Sequence, residues 1–235
     1  MSKGKLYLIP NFLGESEINM ILPVGITSII NSIEEFVVEE EKSARRLLKK
    51  AGINRPLQEI KLHLLNEHTD PKIVSSYLEI IGKGLNVGII SEAGCPAVAD
   101  PGAEIVRIAH QKNIQVIPLV GPSSIILSLM ASGLNGQNFC FHGYLPKEQG
   151  ERIKKIKSIE KNARSFKQTQ IFIEAPYRND HLFDDIIKNC EWDTKLCIAC
   201  NITSTDEYIK TFSIKDWKLN KPSIHKKATV FLLGI

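Results

Sequence analysis

Ser91-Glu92-Ala93-Gly94-Cys95-Pro96-Ala97-Val98-Ala99-Asp100-Pro101-Gly102 lies between a short apolar run, Val87-Gly88-Ile89-Ile90, and an amphipathic run over residues 103–111. The order is strand, tight loop, helix start. Gly94 and Gly102 allow positive φ or a close backbone approach, and Pro96 and Pro101 stiffen what lies between. Asp100-Pro101 reads as an N-cap followed by the first helical residue. A second unit follows at once: a strand over 116–120, the turn Gly121-Pro122, the hydroxyls Ser123-Ser124, and an apolar helix from Ile125. Loops at the carboxyl ends of neighbouring parallel strands are where open α/β sheets place ligands.

Working outward, the first half alternates strand and helix. Strands are predicted at 5–10, 36–40, 59–65, 86–92 and 115–120, and helices at 22–32, 43–51, 71–82, 101–112 and 122–132. That alternation predicts a parallel sheet. After Gly133 the texture changes. A polar link, Asn135-Gly136-Gln137-Asn138, leads to an extended run over 139–145 and a charged helix over 147–164. A strand (169–174), a helix (180–188) and strands at 195–203, 207–212 and 228–233 complete the chain. Late strands without intervening helices predict a mixed sheet. The reading is therefore two α/β domains, residues 1–134 and 139–235, joined near 134–138.

Composition narrows the function. A 43% hydrophobic fraction over 235 residues can build real cores, and no run of about 18 apolar residues exists to span a membrane. The first apolar segment is too short for a signal-peptide core, so a cytoplasmic location is expected. Five scattered cysteines argue against a disulfide framework. Cys197 and Cys200 are three apart on a predicted strand, on opposite faces, so they read as small buried hydrophobes and no metal site is expected. Net charge is +4. Residues 147–167 carry eight bases against three acids, which reads either as a solvated helix face or as a phosphate-contacting patch.

Five segments in register carry a resemblance: Ser91-Glu-Ala-Gly-Cys-Pro96, Asp100-Pro-Gly102, Val120-Gly-Pro-Ser-Ser124, Gly143-Tyr-Leu-Pro146 and Glu174-Ala-Pro-Tyr-Arg178. Together they resemble the tetrapyrrole-methylase superfamily of S-adenosyl-L-methionine-dependent methyltransferases. The likeness is greatest to its ribosomal RNA small subunit methyltransferase I branch, whose members 2′-O-methylate an rRNA cytidine. The resemblance implies a class III methyltransferase fold of two α/β domains with the cofactor in the cleft between them, a homodimer, and RNA (rRNA or the small ribosomal subunit) as partner. It also assigns donor binding to Gly94, Cys95, Pro96 and Asp100 of the first loop and to Gly121, Pro122, Ser123 and Ser124 of the second. Pro10 and the turn Glu174, Ala175, Pro176, Tyr177 would close the pocket from either side.

Methyl transfer to a ribose hydroxyl is an in-line displacement at a sulfonium, needing positioning and removal of the hydroxyl proton. Where the branch carries E-D-T-R after its second strand, this chain has Glu39-Glu40-Glu41-Lys42. The resemblance makes Glu39 the candidate base, with Lys42 or Arg178 steadying an adjacent phosphate; the three carboxylates also read as a plain acidic loop. The branch's H-x-H-N-E cluster becomes His63-Leu64-Leu65-Asn66-Glu67, where His63 reads equally as a rim or core histidine. Tyr177 replaces the usual His.

Departures gather where the acceptor would bind. T-P-I-G-N-L after the first strand is Asn11-Phe-Leu-Gly-Glu-Ser16 here, and a late G-E is Lys226-Lys227. Two other readings therefore stand beside RNA methylation: methylation of a small acceptor such as a tetrapyrrole, and a cofactor-binding protein that has lost turnover.

Overall fold

The structure, a computed structural model, describes residues 3–66 and 69–235, with Pro71 and Lys72 described by backbone alone. Contacts divide the chain into two units, Met1–Ser123 and Ser124–Ile235.

The first unit is built on five strands, β1 (Leu6–Ile9), β2 (Glu35–Val38), β3 (Lys61–Leu64), β4 (Val87–Ile90) and β5 (Val116–Pro118). They lie in the order β3-β2-β4-β1-β5, every pair parallel. The connecting helices are α1 (Ile18–Ile21), α2 (Ile26–Asn31), α3 (Glu41–Lys50), α4 (Pro71–Val74), which runs into a 3-10 stretch at Ser75–Lys83, and α5 (Gly102–Gln111). Both faces of the sheet are covered, so the inner strands β4 and β1 are apolar rather than alternating, while the edge strand β3 carries Lys61 and His63. Phe36, Val38 and Ile90 pack on one face with Leu47 and Leu48 of α3. Val37, Val87 and Ile89 pack on the other with Leu78 and with Ile105 of α5.

Two predicted helices differ from the outcome. The 22–32 helix shortens to α2 because Pro23 interrupts its start, and α1 precedes the predicted range. The 71–82 helix tightens to 3-10 after its first turn.

The second unit holds α6 (Ser124–Ser132), β6 (Phe139–Tyr144), α7 (Gln149–Phe166), β7 (Thr169–Ile173), a 3-10 turn at Pro176–Arg178, α8 (Asn179–Asn189), β8 (Lys195–Cys200), β9 (Tyr208–Ser213), α9 (Ile214–Trp217) and β10 (Thr229–Gly234). Its sheet runs β6-β7-β10-β8-β9. The β6–β7 pair is parallel and the rest antiparallel, so the sheet is mixed. Helix α6, read before the link at 134–138, packs on this second sheet. The core centres on Trp217, whose indole N–H donates to the Leu196 carbonyl at 2.8 Å and whose ring meets Phe183 and Phe212 edge-on.

Candidate active site

The 91–102 loop leaves the carboxyl end of β4 and is held from inside. Asn11, fully buried at the end of β1, donates from Nδ2 to the Ser91 and Glu92 carbonyls at 2.9 and 3.0 Å. Its backbone pairs with Gly94 in an isolated bridge. Gly94 takes φ +70°, and two alanines, Ala97 and Ala99, also sit in the left-handed region at +65° and +62°. Left-handed non-glycine residues cost free energy and concentrate at ligand-binding loops.

Asp100 organises this conformation. Its Oδ1 accepts from the N–H groups of Ala97 and Gly102 at 2.9 and 2.7 Å. Helix α5 begins at Gly102, but Pro101 is already helical at φ −68° and ψ −11°, and the Asp100 carboxylate accepts the Gly102 N–H, so the Asp-Pro pair caps the helix as predicted while also closing the loop onto Ala97. Gly102 is not in a positive-φ conformation. Its absent Cβ makes room for Asp100 Oδ1, which a side chain there would meet at 2.8 Å. Burial pushes the Asp100 carboxyl up, the two N–H groups oppose that, and the negative charge of Glu39 adds to the rise.

The second loop lies beside the first. Cys95 Sγ donates to the Pro122 carbonyl at 3.4 Å, and burial raises the Cys95 thiol. Gly121 is pressed against Pro10: a Cβ on Gly121 would stand 2.3 Å from that of Pro10. Pro96, Pro122 and Pro10 are buried, while Ser123 and Ser124 are half-buried. Five expected donor-binding residues, Pro10, Gly94, Cys95, Gly121 and Pro122, thus cluster at the carboxyl edge of one sheet.

The acidic run divides its labour. Glu40 is the N-cap of α3, accepting from the Lys42 and Ser43 N–H groups at 2.8 and 2.6 Å. The Lys42 N–H, more than any opposing burial, holds the Glu40 carboxyl below its ordinary range. Glu41 pairs with Arg45 one turn on. Only Glu39 turns to the loop, its Oε2 accepting from the Glu92 N–H at 3.0 Å. Oε1 has no hydrogen-bond partner among the described residues. Glu39 and Asp100 line one recess with Ser91, and Lys42 lines a neighbouring cavity of about 390 Å³.

In the second unit, Glu174 is buried at the end of β7. Its Oε1 accepts from the Ala175 N–H at 2.7 Å and the Arg178 Nε–H at 2.9 Å. Oε2 is buried with no partner among the described residues. The Arg178 guanidinium lies 5.5 Å from the Tyr177 ring centroid, so the cation read as a phosphate contact is taken up by its own turn. Tyr177 and Pro176 are exposed.

His63 is a rim residue. Its Nε2 meets Glu35 Oε2 at 2.5 Å, and its ring stacks on Tyr77 at 4.7 Å. Glu67 of the same cluster lies outside the described residues. Cys197 and Cys200 are buried and unpaired, with burial pushing the Cys197 thiol up to about 11. Among the described residues, no group of His, Cys, Asp and Glu could hold a metal ion. On α7, Arg152 is buried against Asp185, Arg164 pairs with Asp193 and Lys154 with Glu151. Three of the eight bases in that run are therefore paired, and of these only Arg152 is buried.

Asn11 is the residue the sequence reading missed. In sequence it stands only among the departures from the family motif; its signal is an amide residue two positions after an apolar strand, where a side chain can hold a loop.

No family model matches the chain. It is 33% identical over 234 residues to "Ribosomal RNA small subunit methyltransferase I" of Buchnera aphidicola subsp. Schizaphis graminum, covering 98% of this chain and 78% of that one. The Escherichia coli O157:H7 protein of the same name is 29% identical over 209 residues, covering 88% and 68%. Among solved structures, the methyltransferase CobJ superposes with TM-score 0.65 at 15% identity, covering 98% and 94%. A uroporphyrin-III C-methyltransferase from Thermus thermophilus, complexed with S-adenosyl homocysteine, does so with TM-score 0.60 at 13% identity, covering 98% and 97%.

Proposed function

Because the chain belongs to the ribosomal RNA small subunit methyltransferase I family, we propose that it transfers a methyl group from S-adenosyl-L-methionine to a ribose 2′-hydroxyl of small-subunit rRNA. The observation that carries the reading is Glu39, tied by the Glu92 N–H to the 91–102 loop with one carboxylate oxygen still unpartnered among the described residues. The residues present fit a bound donor. A loop strained at Ala97 and Ala99 and locked by Asn11 and Asp100 is built in advance of a ligand.

S-adenosyl-L-methionine supplies a methyl group on a sulfonium, already activated for displacement. The chain's own part is placement and proton removal. Gly94, Cys95, Pro96, Gly121, Pro122, Ser123 and Ser124 hold the donor, with Pro10 and Asp100 supporting the loops from beneath. Glu174, Ala175, Pro176 and Tyr177 of the second unit are proposed donor contacts as well. Glu39 accepts the proton of the acceptor hydroxyl while Lys42 steadies the neighbouring phosphate. Arg178 joins it only if the guanidinium exchanges Glu174 for phosphate. We also propose a homodimer acting in the cytoplasm, where ribosomal subunits are modified.

Transfer of tritium from labelled donor to small ribosomal subunits from a strain lacking this activity tests the reading. The expected result is label in rRNA, recovered after alkaline hydrolysis as a resistant dinucleotide, which marks a 2′-O-methyl ribose. Donor binding without label in RNA would overturn it in favour of a small acceptor or of binding without turnover.

A further inference from the structure

Helix α3 starts two residues after Glu39 and carries five bases against one acid in ten residues. Two of those bases are used within the unit. Arg45 donates to the Leu57 carbonyl and pairs with Glu41. Lys50 donates to the Ser16 carbonyl at 3.1 Å and sits 4.8 Å over the Phe12 ring. Lys42, Arg46 and Lys49 remain. They are exposed, and among the described residues none has an ion-pair partner. Their spacing of four and then three residues puts them on one helix face, rising about 6 and then about 4.5 Å along the axis.

Helix energetics alone does not account for this stripe. Lys42 lies in the first turn, where the macrodipole disfavours a cation. A second observation gives the stripe a place. Lys42 and Arg46 both line the cavity of about 390 Å³ that also takes in Phe12, Leu13, Glu40 and Glu92. The Glu40 carboxylate is already engaged by the Lys42 and Ser43 N–H groups, and Glu92 is the residue whose N–H holds Glu39. The stripe therefore begins at the candidate base and leads away from it.

Resting on the reading of an RNA acceptor, we infer that Lys42, Arg46 and Lys49 form a track for the RNA phosphodiester backbone, with the cavity at Lys42 and Arg46 receiving the phosphate that flanks the acceptor nucleotide. The recognition is of backbone charge, so it sets register on the strand rather than sequence. Glu39 then meets a hydroxyl whose flanking phosphate is already fixed.

The test uses the full chain, small-subunit rRNA as probe, filter binding across a salt series, and calorimetric titration with S-adenosylhomocysteine. Arg46→Glu with Lys49→Glu is expected to weaken RNA binding at least tenfold. It should also make the log–log salt slope shallower by about 1.4, since each single-strand phosphate contact contributes roughly 0.7. S-adenosylhomocysteine affinity should stay unchanged. Arg46→Lys with Lys49→Arg should keep the slope, because the track reads charge. A charge-reversed chain with the parent's slope would overturn the track alone, as would parallel loss of donor binding, which would mark a structural role. An unaltered chain that binds no RNA would overturn the track and the RNA reading together.

Discussion

Glu92 donates its backbone N–H to Glu39 Oε2 across 3.0 Å, joining the carboxyl ends of β2 and β4. The two residues are 53 positions apart in sequence, and the contact turns an acidic run into one aimed carboxylate. Glu40 and Glu41 have partners in α3, which leaves Glu39 as the proposed base at this edge.

Glu39→Gln keeps an oxygen that can accept the Glu92 N–H but cannot take a proton from a hydroxyl. Turnover should fall by about a hundred- to ten-thousand-fold, the range for a lost proton-transfer group, with S-adenosylhomocysteine binding intact. Glu39→Ala should cost donor affinity too, because the loop loses its tether. Single-turnover kinetics beside calorimetry separates the two; equal losses in the Gln variant would make Glu39 a loop support only.

Gly94→Val and Gly121→Val should each abolish donor binding, for different reasons. Gly94 stands at φ +70°, which a β-branched residue resists. A side chain on Gly121 would collide with Pro10. Titration with S-adenosylhomocysteine, one site per chain in the parent, reads both. Retained binding in a folded Gly94→Val chain would remove this loop from the donor site.

Lys154, Lys155 and Lys157 on α7 can be reversed to Glu together. Lys154 is paired with Glu151, and the arginines on either side are occupied. The expected outcome is a solvated helix face: the salt slope for rRNA changes by less than one contact. A slope shallower by about 2, roughly 0.7 for each of three contacts, would make α7 part of the RNA surface.

The Glu35–His63 contact predicts a pH signature. Burial alone would raise the Glu35 carboxyl, but hydrogen bonds from His63 and Lys61, with their charges, hold it below its ordinary range. A lowered carboxylate contributes stability above its unfolded value of 4.5 that is lost as pH falls through the lower folded value. Thermal unfolding of Glu35→Gln should therefore trail the parent by about 1 kcal/mol at pH 7, a charge-assisted bond discounted for partial screening. The gap should close as the pH falls below 4. An equal gap at both pH values would assign the effect to packing.

The strand order along the chain, most of its helices, the two loops at strand ends, the mixed character of the second sheet and the family are legible in the residues alone. These are written locally: hydrophobic period, turn residues and strand length each act over a few neighbouring positions. Which polar groups meet is settled by how the chain packs. Asn11 reaches the Ser91 carbonyl across 80 positions, and Arg152 finds Asp185 across 33. Such pairs leave no periodic signal, because a buried polar group takes whichever partner the packed backbone brings within hydrogen-bond reach, and leaving it unpaired would cost roughly 1–3 kcal/mol. That selection, made after the sheet has formed, frees Lys42, Arg46 and Lys49 on α3 while neutralising arginines on α7.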